Sequence, residues 1–89
     1  DDLAAGSLTL VYDHGQRALA DKLVDAAHEH HHLVLSTMHV HLDHDTCMEV
    51  SVLRGRRSAL ADYAARVLAM RGVLNGELVI AGAVAGHTH

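Results

Sequence analysis

LVLSTMHVHLDHDTCMEVSVL, running from Leu33 to Leu53, decides the fold. Two apolar, alternating runs, Leu33 to Leu42 and Cys47 to Leu53, flank the polar turn Asp43-His44-Asp45. That pattern predicts two strands joined by a short turn. In a strand, residues i and i+2 face the same way. The even positions of the first run are Val34, Ser36, Met38, Val40 and Leu42; the odd ones are Leu33, Leu35, Thr37, His39 and His41. In the second run Met48, Val50 and Val52 are expected to face the core, leaving Cys47, Glu49, Ser51 and Leu53 on the opposite side. His39 and His41 then form a two-nitrogen clamp, with Cys47 across the turn.

Elements on either side complete the order. Ser7 to Asp13 alternates, with Leu8, Leu10 and Tyr12 on one face, and reads as a strand. Asp13 and Gln16 fit a capping box for a helix reaching about His30, whose stripe is Leu19, Leu23, Ala26 and His30. Ser58 is the expected cap of a second helix with the stripe Leu60, Tyr63, Val67 and Met70, and Gly72 suits its C-terminal stop. A last strand is expected from about Val73 to Ala81, with a bulge or turn at Asn75-Gly76. The resulting βαββαβ order predicts an α+β, ferredoxin-like sandwich: a four-stranded antiparallel sheet with two helices on one face. The other face is left bare. On the parity above it carries Leu33, Leu35, His39, His41, Cys47, Glu49, Ser51 and Leu53. An open face bearing leucines calls for a partner.

Composition narrows the function. The chain has 89 residues, 49% of them hydrophobic, with no Phe, Trp or Pro. It therefore reads as one small domain whose aliphatic core invites support from metal or oligomerisation. A net charge of −4 does not suit nucleic-acid binding by this chain alone. No apolar run approaches the roughly 20 residues of a membrane span. No signal peptide is visible, and the missing initiator Met suggests a fragment or processed chain. A lone Cys acting as a thiolate ligand favours a reducing, cytoplasmic setting.

Ten histidines dominate the chemistry. Imidazole with thiolate suits borderline ions such as Zn, Cu and Ni. A lone HxH on a strand is otherwise an ordinary exposed pair, and a lone Cys a small buried hydrophobe. At about 100° per residue, His28 falls with Arg17, Asp21 and Asp25, opposite Leu19 and Leu23, and points away from its own core. With His39 and His41 expected on the sheet face opposite the helices, another subunit would bring His28 to them. His30 is expected to pack. His31 and His32 read as solvated or as weak secondary metal sites; His44, His87 and His89 read as solvent-facing. His14 is a weak metal candidate at most. His39 to His44 also spells the H-x-H-x-D-H motif of metallo-β-lactamases, but that fold needs more than twice this length and further ligands downstream. No nucleophile triad, P-loop or dinucleotide fingerprint is present, and no enzymatic activity is expected.

The stretch HEHHHLVLSTMHVHLDHDTCMEVSVLRG, with the opening LTLVYDH and the closing RGV and GEL, resembles the C-terminal regulatory domain of the NikR family of nickel-responsive transcriptional regulators. The resemblance covers nearly the whole chain. It implies an ACT-like domain that forms a homotetramer and binds Ni(II) in a planar site at a subunit interface. The implied ligands are His39, His41 and Cys47 of one chain and His28 of a neighbouring subunit, with Glu49 behind them. His32 departs from the family, which commonly has Asp there. Residues 1–6 would be a linker remnant, 7–81 the regulatory and tetramerisation domain, and 82–89 a flexible tail. Operator DNA would be bound only through an N-terminal ribbon-helix-helix absent from this chain. Metal carriage or buffering without regulatory output is the alternative, and a small-molecule-binding ACT-like module a third reading.

Overall fold

The computed structural model describes residues 1–84. Strand β1 (Leu3–Asp13), helix α1 (Arg17–Glu29), strands β2 (Val34–His41) and β3 (Thr46–Arg56), helix α2 (Arg57–Leu68) and strand β4 (Val73–Ala83) follow in the expected order. They build one antiparallel sheet, β2-β3-β1-β4, the ferredoxin-like arrangement. β1 begins earlier than Ser7, since Leu3 to Gly6 pair with β3, and β4 continues past Ala81. His87 and His89, with most of the expected tail, lie outside the described residues.

The core sits between the sheet and both helices. Leu8, Leu10 and Tyr12 of β1 meet Leu19, Leu23 and Ala26 of α1 and Leu60, Tyr63, Ala64 and Val67 of α2. Both helical stripes are those read from the period, with Met70 packed at the margin. The caps differ from expectation. The Asp13 carboxylate accepts from Gly15 N at 2.8 Å, an Asx turn, and Gln16 precedes α1 without a side-chain cap. Ser58 lies inside the first turn of α2. Its backbone N–H and hydroxyl donate to the Asp1 carboxylate at 2.9 and 2.6 Å, so a residue distant in sequence satisfies the open helix end. Gly72 takes a φ of +100°, and a Cβ there would lie 2.9 Å from Leu19 Cδ2; both facts demand glycine. The bulge expected at Asn75-Gly76 falls one residue earlier: Val11 pairs with Asn75 and Tyr12 with Val73, leaving Leu74 extra.

The main correction concerns which face of β3 looks inward. Cys47, Ser51 and Leu53 are buried and Glu49 is largely covered, whereas Val52 is 46% exposed. The β1 register explains this: Tyr12 opposes Cys47, Leu10 opposes Glu49 and Leu8 opposes Ser51. Directly opposed residues share a face, so the leucine face of β1 carries the Cys47 set to the helix side. In β2 an irregularity between Val34 and Ser36 leaves Leu35 unpaired. One extra residue flips parity. Val34 therefore packs at the core margin, while Thr37, His39 and His41 also lie on the helix side. Leu33 and Leu53 are buried, not on the bare face. The open face carries Met38, Val40, Leu42, Val52 and Val79, all well exposed.

Candidate metal centre

The site lies on the helix side of edge strand β2, where three polar pairs cross to β3. Thr37 Oγ1 meets Ser51 Oγ at 3.0 Å, His39 Nε2 meets Glu49 Oε1 at 2.7 Å, and His41 Nδ1 approaches Cys47 Sγ at 3.4 Å. α2 packs over β1, β3 and β4, and β2 projects beyond it. His39 and His41 are exposed although Cys47 beside them is buried.

A third imidazole joins the end of this ladder. His14, just after β1, places its Nδ1 3.4 Å from the same sulfur, and its ring stands edge-on to His41 with centroids 4.8 Å apart. The ligand atoms of His14, His41 and Cys47 all lie within 4.8 Å of one another. Local structure holds the cluster. Asp43 Oδ1 accepts from Asp45 N, Thr46 N and Thr46 Oγ1, fixing the β2–β3 turn, and His14 N donates to Asp45 O at 2.7 Å. His14 was a weak candidate in the sequence because nothing local ties it to Cys47. The signal was β1–β3 pairing, which brings the end of one strand beside the start of the other.

His39 stands apart from this trio, engaged with Glu49. Burial pushes the Glu49 carboxyl up, against the pull of His39. His28, exposed near the end of α1, is not in the cluster; it borders a groove with Val24, Thr37, His39 and Glu49 of its own chain. The expected separation of His28 and His39 onto opposite sides is thereby corrected, since both lie on the helix side. His30 packs as expected, its ring 5.0 Å from Tyr63 and its Nδ1 2.9 Å from Ala26 O. His31, His32 and His44 are exposed.

Beneath the cluster, burial pushes the Tyr12 phenol up from 10.0 to about 12, helped by Cys47 and Glu49 nearby. The folded state thus keeps a proton that the unfolded chain releases. This contribution to stability is complete below about pH 10 and is lost as pH rises through about 12. Burial raises Tyr63 in the same direction. Chemical-denaturation stability should fall across that window, and Tyr12→Phe should flatten the fall; equal slopes in the two proteins would contradict the shift.

Two imidazole nitrogens converging on one thiol make a donor set for a borderline transition ion. Residues 5–81 match the model of the NikR C-terminal nickel-binding domain. The chain belongs to this family. A nickel-responsive regulator of Edwardsiella ictaluri is 47% identical over 74 residues, covering 83% of this chain and 51% of that protein. A Solibacter usitatus protein described as the same kind of regulator is 49% identical over 75 residues, covering 84% of this chain and 54% of its own length. The chain thus spans a little over half the length of these curated relatives. Among solved structures, an uncharacterized protein of Thermotoga maritima superposes with a TM-score of 0.81 at 12% identity, covering 91% of this chain and 100% of that one. The C-terminal domain of the Mycobacterium tuberculosis MgtC protein gives 0.64 at 9% identity, covering 90% and 89%. These two likenesses concern the fold alone. Among the described residues, no helix is long and apolar enough to cross a membrane.

Proposed function

We propose that this domain senses nickel. It binds Ni(II) through His39, His41 and Cys47 with His28 of a neighbouring subunit, and Glu49 steadies His39. The observation that carries the reading is His41 Nδ1 at 3.4 Å from the buried Cys47 sulfur, with His39 on the same face of the same strand, in a chain of this family. Glu49 at 2.7 Å from His39 Nε2 fits a carboxylate that orients a ligand imidazole. The exposed His28 and the apolar open sheet face favour a homotetramer. A ligand completed by a second subunit binds one assembly state better than another, which is how occupancy becomes a regulatory signal. That signal acts on operator DNA through an N-terminal ribbon-helix-helix outside this chain, in the reducing cytoplasm, where Cys47 stays a thiol. The groove shared by His28 and His39 favours a second reading, closure of the site within one chain.

Protons and metal compete for imidazole nitrogens and thiolate. Nickel affinity, measured against a chelator, should weaken steadily from about pH 7.5 to about pH 5.5. Constant affinity over that range would exclude these side chains as the ligands.

A further inference from the structure

His14 has no part in the ligand set above, yet it faces the same sulfur as His41 at the same 3.4 Å. We infer that His14, His41 and Cys47 form a transition-metal site complete within one chain, which takes an ion without His39 and without a neighbour's His28. The inference rests on the nickel reading to the extent that both sites use His41 and Cys47.

Three observations support it. The donor atoms are already gathered, all within 4.8 Å, so binding requires little rearrangement. The His14 N to Asp45 O bond ties the loop after β1 to the β2–β3 turn, so His14 is placed by the fold and not by its side-chain freedom alone. His39, the other in-chain candidate, is held by Glu49, whose side chain is only 12% exposed. The cluster opens to solvent through a hollow bordered by Asp43 and His44. Asp43 Oδ1 is committed to the turn, and the trio itself is an N₂S set with room for a further ligand. Such a set accepts a thiophilic ion of flexible, near-tetrahedral geometry such as Co(II) or Zn(II).

The test uses Co(II), whose thiolate charge-transfer band reports Cys47 directly. In His28→Ala/His39→Gln the proposed four-ligand set is broken, while the in-chain trio is intact. This double variant should bind one Co(II) per chain with that band. Adding His14→Ala, or His14→Gln, should weaken binding by more than about tenfold and remove the band, with circular dichroism unchanged; even changes behind a ligand cost about 10–100-fold. The inference is overturned if the double variant binds no Co(II), or if loss of His14 leaves affinity and band as they were. Failure of the nickel reading is separate: it would show as no nickel binding by the unaltered chain, whatever the double variant does with cobalt.

Discussion

Cys47→Ser should abolish the thiolate-to-nickel absorption band and weaken nickel binding by at least about a hundredfold, since changes merely behind a ligand already cost about 10–100-fold. The sulfur is the point on which His14 and His41 converge, each Nδ1 at 3.4 Å. A serine hydroxyl holds its proton far too tightly to replace a thiolate ligand. Cys47 is 2% exposed, so the near-isosteric Ser is chosen to leave the core filled, and thermal unfolding of the metal-free variant checks that it does. His41→Ala should weaken nickel to a similar degree, whereas His44→Ala, out in the exposed turn, should change little. Competition titration distinguishes these outcomes. A band that survives in Cys47→Ser would place nickel elsewhere.

The second large effect is on assembly. Met38 is 59% exposed, Leu42 50%, Val79 49%, Val52 46% and Val40 41%, all on the sheet face away from the helices. So apolar a face on so small a domain is best explained by a second copy packed against it. Sedimentation equilibrium at on the order of tens of micromolar should give a tetramer for the unaltered chain. Val40→Lys places a charge on that face, and burying it unpaired is strongly unfavourable. The variant should sediment at a lower mass with its circular dichroism intact. A monomeric unaltered chain, with and without nickel, would remove the basis for an intersubunit site.

Much of this arrangement is legible in the sequence. The helical stripes of Leu19, Leu23 and Ala26 and of Leu60, Tyr63 and Val67 emerge from period alone, as does the leucine face of β1. The inward face of β3 does not, because Glu49 and Ser51 lie on it. Met48, Val50 and Val52 form the more hydrophobic set, yet Val52 lies on the open side. Hydrophobicity in a strand marks burial by anything, including another copy of the chain. Pairing with β1, a long-range fact, decides the matter. The irregularity at Leu35 is equally silent in sequence, and it sets the parity of His39 and His41. The His41–Cys47 pair was readable because a short turn brings the two together locally, whereas His39 stands apart with Glu49. His14 is 33 positions from Cys47 and becomes visible only once the strands are paired.

Whether the nickel site is shared between subunits is tested most directly by mixing two defective proteins. His28→Ala and His39→Ala should each lose the thiolate-to-nickel band expected of the four-ligand site. If His28 acts across the interface, co-refolding the two variants recreates some interfaces with an intact His28 against an intact His39, His41 and Cys47. The band should then return in part, in mixtures whose subunit exchange is verified by mass labelling. No recovery in exchanged mixtures would contradict the shared site and leave the in-chain groove between His28 and His39 as the place where nickel is held.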